Sequence, residues 1–243
     1  MNPSGGLAWH WRAWRQRQAW APTCAAIAAW LATCQPQSRH LLLLGPSAGW
    51  MLPTDWLRRF QSVTAVDIDP LARHLFALRH GRQLSAAGVK WRYVTADALA
   101  NLPGLLAEFP QACVLFDNLL GQLRFHEQDS RAPGSFLTLP GTAAVEEALQ
   151  KLVALLAGRE WGSLHDLLSG RVAKVLPFPP VQHSLAGAEL APGLIPASAV
   201  SPWLDHLTAK VLPSGSPVRR MAWAFGPDYW HVLEAGWVQP DAR

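Results

Sequence analysis

Cysteine is scarce in this 243-residue chain. None of the three, Cys24, Cys34 and Cys113, forms a Cys-x-x-Cys pair or stands at ligand spacing from a histidine. Disulfide scaffolds and structural zinc sites are thereby set aside, and a reduced, cytoplasmic setting is expected. Long apolar runs are missing too. Nothing reaches the ~18 residues that a spanning helix requires, so no membrane partner is expected. Arg12, Arg15 and Arg17 precede "APTCAAIAAWLATC", a loose imitation of a secretion signal, but the long Trp-rich lead, Pro22, and Thr33 before Cys34 count against it. There is no polybasic run, internal repeat, Walker loop, Ser/His/Asp elbow or zinc pair. Hydrolase and phosphotransferase chemistry therefore have no residues to rest on.

Apolar residues make up 50% of the chain, enough for a substantial core in one α/β domain. The net charge of +4 is unevenly spread, with eleven Lys/Arg against three Asp/Glu in residues 1–92 and ten against fourteen in the rest. A basic front half suits a polyanion such as RNA, an acidic small molecule, or simply solvated helix faces. Five of the thirteen tryptophans fall within the first thirty residues. "AWHWRAWRQRQAW" alternates indole and guanidinium groups that can stack on bases. Trp9, Trp20 and Trp30 equally suit the apolar face of a helix that caps a sheet.

Periodicity predicts a helix over about 21–33 and strands at 40–44, 62–68, 89–95, 112–116 and 160–168, separated by helices near 54–60, 70–81, 102–109 and 142–158. Gly81 reads as a helix stop, and Pro133, Gly134, Pro140 and Gly141 mark a loop. Residues 171–217 carry eight prolines and read as a lid or substrate insert, with a helix beginning at Ser201-Pro202. The end of the chain, "VRRMAWAF" and "WHVLEAGWV" around "GPDY", reads as an antiparallel hairpin. An N-terminal helical cap (1–37) and one α/β domain (38–243) follow. The expected sheet is Rossmann-like, seven-stranded and mainly parallel, with helices on both faces.

The stretch "LLLLGPSAGW", residues 41–50, is a strand buried on both faces that runs into a small-residue turn, where open α/β sheets place ligands. A dinucleotide fingerprint, Gly-x-Gly-x-x-Gly, meets Gly45, Ser47 and Trp50 and fails twice. A Gly-x-Gly-x-Gly pattern meets Gly45, Ser47 and Gly49 and fails only at the middle. Twenty-two residues on, "VTAVDIDP" puts Asp67 at the end of the second strand, where a carboxylate accepts hydrogen bonds from two ribose hydroxyls. "VTADAL" puts Asp97 after the third. In register across three strand ends, and with the terminal hairpin, this resembles the class I S-adenosylmethionine-dependent methyltransferase superfamily, whose last strand inserts antiparallel. The resemblance covers residues 38–170 and implies S-adenosyl-L-methionine as cofactor. Gly45, Pro46, Ser47 and Gly49 would lie at its methionine end, Asp67 on the ribose, Ile68 beside the adenine, and Asp97 and Ala98 at the adenine amino group. The superfamily's acidic residue two before the first glycine is here Leu43.

On the acceptor side, Asp117 and Asn118 end the fourth strand; Asp117 is taken with the cofactor and Asn118 with the acceptor. His165 beside Asp166 on the fifth strand is the expected general base, with His126 as a rival. No metal is expected, because the Asp-Asn pair of metal-dependent O-methyltransferases, which this pair resembles, follows strand five and needs a third carboxylate, whereas here it ends strand four. The acceptor and the oligomeric state are not legible. Two other readings remain: a non-catalytic binding protein on the same fold, with RNA as one partner, and an aminopropyltransferase, which "VDIDP" also resembles.

Overall fold

The computed structural model describes residues 6–126, 142–174 and 180–240. The predicted loop containing Pro133 and Pro140 lies outside them. Five strands, β1 (His40–Leu44), β2 (Ser62–Asp67), β3 (Lys90–Thr95), β4 (Cys113–Asp117) and β5 (Trp161–Val172), pair in parallel in the order β3-β2-β1-β4-β5. Alternation along β1 explains its leucines. Leu41 and Leu43 face one apolar layer and Leu42 and Leu44 the other, so no face is left for water.

Helices cover both faces. On the first lie α1 (Gly6–Thr33), α2 (Thr54–Leu57), α3 (Pro70–Phe76) and α4 (Arg82–Ala86); on the second lie α5 (Leu102–Glu108) and α7 (Thr142–Leu155), with the short α6 (Leu123–His126) beside β4's end. Helix α1 starts well before the predicted 21 and runs unbroken through Pro22. Ala13, Trp20, Ile27, Trp30 and Leu31 make a continuous buried stripe on the sheet, and that packing overrides the local proline penalty. Gly81 does not stop its helix either. The turn continues through a π segment (Ala77–Gly81) into α4, and a side chain at 81 would stand 2.6 Å from the Trp91 ring. Close packing, not termination, demands glycine there.

The expected seven strands are present, and the sheet gains two more. β8 (Pro217–Ala224) and β9 (Tyr229–Val238) form the predicted hairpin, with β9 antiparallel between β5 and β8. β6 (Val181–Leu185) extends the edge beyond β8, and β7 (Ala199–Asp205) pairs antiparallel with the outer half of β5. β7 stands where a helix is predicted from Ser201. Strand β4 pairs only with Trp161 to Leu164, so the rest of that edge of β5 is open and β7 completes it. Trp203 lies against Gly170, where a Cβ would come within 2.4 Å of the indole. The proline-rich segment is thus partly sheet. Among the described residues no helix is long and apolar enough to cross a membrane.

Glu160, buried just before β5, ties the connection between α1 and β1 to the end of β9. Its carboxylate accepts from the amides of Gln37 (2.9 Å) and Ser38 (3.0 Å) and from Trp237 Nε1 (3.0 Å). Glu160→Ala leaves three donors without a partner, and a loss of about 2–4 kcal/mol is expected, measured by urea unfolding. Glu160→Gln, which keeps one acceptor oxygen, is expected to lose less.

Candidate functional site

A cavity of about 530 Å³ opens at the carboxyl ends of the parallel strands. The turn after β1 enters it through Gly45, Pro46 and Ser47. Gly45 (φ +71°), Ser47 (φ +48°) and Gly49 (φ +66°) alternate through the left-handed region, so Ser47 adopts a backbone better suited to glycine. Its amide donates to Asp67 Oδ2 at 2.8 Å, its carbonyl accepts from Tyr93 Oη, and its hydroxyl accepts from Trp9 Nε1 at 2.9 Å. Helix α1 is therefore tied to this turn. A second tie runs through Asp69, whose Oδ2 accepts from the Gly6 amide (2.7 Å) and contacts His10 Nε2 (2.9 Å).

Asp67 and Ile68 follow β2 into the cavity. Asp67 Oδ1 accepts from the Asp69 amide at 2.9 Å, so each carboxylate oxygen holds one backbone amide and keeps a further lone pair. Ile68 leaves 52% of its surface open, an unusual exposure for isoleucine lining a cavity. Asp97 and Ala98 follow β3; Asp97 Oδ1 caps the amides of Leu99 and Ala100. Asp117 and Asn118 follow β4. Asn118 sits at φ +53°, and its Oδ1 is buried without a partner among the described residues.

The carboxylates crowd one another. Burial, and then the neighbouring charge of Asp67, pushes Asp117 up to about 8. Burial also raises Asp67, although the amides of Asp69 and Ser47 offset part of this. Among the described residues neither Asp67 nor Asp117 has an ion-pair partner.

The opposite wall was not legible from the motifs. A bulge at Leu167 in β5 shifts the pairing with β9, so Asp166 and Ser169 face the same side as His231. Burial alone would raise Asp166, but His231, together with His206 and Asn118, outweighs it and holds the carboxyl below its usual range. An ionised carboxylate only accepts, so His231 Nδ1–H donates to Asp166 Oδ1 at 2.7 Å. His206 Nδ1–H donates to the Gly121 carbonyl at 3.0 Å, and burial keeps this ring neutral. Its Nε2 then accepts from Ser169 Oγ at 2.9 Å, and Ser169 in turn faces Tyr229 Oη at 3.3 Å. Asp166, His206 and His231 also offer ligand atoms within 4.8 Å of one another, close enough to converge on a metal ion.

Two expected residues lie elsewhere. Gly49 lines no part of the cavity. It packs under the turn against His80, whose Nε2 would stand 2.5 Å from an added Cβ. His165 is fully buried on the other face of β5, with Nδ1 on Ser163 Oγ at 2.9 Å and Nε2 3.7 Å from Glu234 Oε1. Glu234 is also paired with Arg220 at 2.8 Å, which makes a row of polar side chains across β5, β9 and β8. Adjacent residues on a strand point to opposite faces, so Asp166 finds His231 and not His165. The His126 side chain lies outside the described residues. Leu43 is buried in the core.

No protein-family model matches the chain, and no curated protein does either. Among solved structures, the magnesium protoporphyrin IX methyltransferase of Synechocystis PCC 6803 with bound S-adenosylmethionine is 14% identical, with a TM-score of 0.44, over 96% of this chain and 85% of that one. An S-adenosylmethionine-dependent methyltransferase of Geobacter sulfurreducens is 17% identical with a TM-score of 0.35, over 63% of this chain and 50% of that one. A putative zinc-dependent alcohol dehydrogenase of Rhodobacter sphaeroides is 18% identical, also at 0.35, over 63% and 54%. The chain spans about half the length of the latter two.

Asp117 gives a pH signature. It ionises near 3.8 when unfolded and at about 8 in the fold. The unfolded chain therefore sheds this proton first, and stability falls as pH rises between those values, by at most about 1.4 kcal/mol per pH unit. Asp117→Asn is expected to remove that fall. Thermal unfolding should show the variant gaining on the wild type from pH 5 to pH 8.

Proposed function

We propose that this chain is a methyltransferase that uses S-adenosyl-L-methionine. The observation that carries the reading is the single cavity joining the turn after β1 to the ends of β2, β3 and β4, with Asp67 and Asp117 buried and without an ion-pair partner among the described residues. The cofactor has both a sulfonium and an ammonium, and it matches that deficit. Asp67 keeps two lone pairs for vicinal ribose hydroxyls, and Ile68 offers an apolar face for the adenine. Asp97 suits the adenine amino group, with Ala98 beside it. Asn118 Oδ1 awaits a donor. Leu43 supplies no carboxylate, so Asp117 is the residue assigned to the ammonium.

When bound, the cofactor supplies an electrophilic methyl carbon. The protein's contribution is then mainly to hold an acceptor in line and exclude water. Trp9, held on Ser47, closes the side of the cavity nearest α1. The second reading, a non-catalytic protein that binds RNA, draws on Trp11 and Trp14. They are exposed and stacked at 5.1 Å, with Arg17 over Trp14 at 4.9 Å. It requires RNA to quench tryptophan fluorescence in a strongly salt-dependent way, with no response to S-adenosylhomocysteine.

Calorimetric titration with S-adenosylhomocysteine tests the proposal. Micromolar binding is expected, weakened at least tenfold by Asp67→Ala; absence of binding by the wild type would refute it. Below pH 8 a cation must displace the proton of Asp117, so affinity should rise with pH by up to about tenfold per unit. The slope should flatten in Asp117→Asn and for 5′-methylthioadenosine, which has no ammonium.

A further inference from the structure

On the wall that the cofactor assignment leaves unused, we infer that His231, oriented by Asp166, accepts the proton of a phenol, and that an aromatic hydroxyl is the methyl acceptor. The inference rests on the methyl-transfer reading above.

The tautomer comes first. With Nδ1–H committed to Asp166 at 2.7 Å, the lone pair of His231 is on Nε2, and that atom is buried without a partner among the described residues. Asn118 Oδ1 is in the same condition. Both are acceptors, and leaving a buried acceptor unsatisfied is costly. The ligand that completes this cavity therefore brings donors. One is accounted for by the cofactor's ammonium; a hydroxyl accounts for the other.

The surroundings of His231 describe the rest of the acceptor. Its ring lies 5.1 Å from Trp223, 4.8 Å from Phe225 and 5.4 Å from Tyr229 between centroids. Trp9 stacks on Phe225 at 6.0 Å, and all of these residues line the cavity. Aromatic walls favour a flat ring over a saturated one. Acidity narrows the choice further. A phenol, at about 10 like tyrosine, is within reach of an imidazole base. An aliphatic alcohol is far too weak an acid, and a neutral amine needs no base.

The step balances. The hydroxyl proton passes to His231 Nε2, and the oxygen lone pair forms the new bond to the methyl carbon. The methyl–sulfur bond breaks with its electron pair left on sulfur, so a sulfonium becomes a neutral thioether. The imidazolium, stabilised by Asp166, returns its proton to water.

The test compares wild type, His231→Ala and Asp166→Asn, each first shown by calorimetry to bind S-adenosylhomocysteine. That check separates failure of the cofactor reading from failure of this one. In the S-adenosylhomocysteine complex, 4-methylphenol should bind the wild type at least tenfold more tightly than 4-methylcyclohexanol. With S-adenosylmethionine, 4-methylphenol should be methylated, and His231→Ala should lower kcat by about 10²–10⁴-fold. For 4-nitrophenol, already largely ionised at neutral pH, the loss should be under tenfold. Asp166→Asn should show the same selectivity. Equal losses for both phenols would reduce His231 to a structural role. Cofactor binding without methylation of any phenol would overturn the acceptor class. Activity lost to EDTA and restored by Zn²⁺, with His206→Ala as damaging as His231→Ala, would overturn the base and make the cluster a metal site.

Discussion

The site depends on one carboxylate held by two backbone amides. Asp67 fixes the turn after β1 through Ser47 and the start of α3 through Asp69, so two loops from neighbouring strands share one anchor. Asp69 then caps α3 through the Leu71 amide and holds α1 through Gly6 and His10. Ser47, placed by the same anchor, receives Trp9. Cavity floor and helical cap are thus positioned by one short network. Its energetic cost is concentrated charge: a buried carboxylate stays ionised only with donors around it, and the amides on Asp67 offset only part of the burial.

Much of this could be read from residues alone, for an identifiable reason. Strands β1, β2 and β4 announce themselves because each is short, apolar and bounded by turn residues, and the acids of interest sit directly at strand ends. Pro70 after Asp69 marked a helix start correctly, since a carboxylate cap and a preset φ are local properties. Local signals failed where a distant partner decided. The helix predicted from Ser201 is a strand because β5 outruns β4 and offers an open edge. Gly81 looked like a terminator because the Trp91 ring that requires it lies across the packing interface.

The chemistry on the far wall was hidden for a related reason. His165 and Asp166 are adjacent in sequence, and adjacency suggested a pair. A strand separates neighbours, and the actual partner is 65 residues away on the last strand of the sheet. His206 comes from yet another segment, just beyond β7. No spacing rule links these positions. Only the placement of β9 beside β5, together with β7 on its other edge, assembles them.

That wall also shows how little of its character depends on residue type. Asp166 and Ser169 are an odd number of positions apart, so regular pleating would send them to opposite sides. The additional residue at Leu167 reverses the phase, and everything beyond it on β5 changes side. Were Leu167 to pleat in turn with its neighbours, every polar side chain of the wall would be kept and Asp166 would still be separated from Ser169. The cavity would then face the alternate set, with Leu168 among it. A bulge in the middle of a buried strand, usually read as an irregularity, here decides whether the cavity meets a polar reaction surface or an oily one, with the composition of the sheet unchanged.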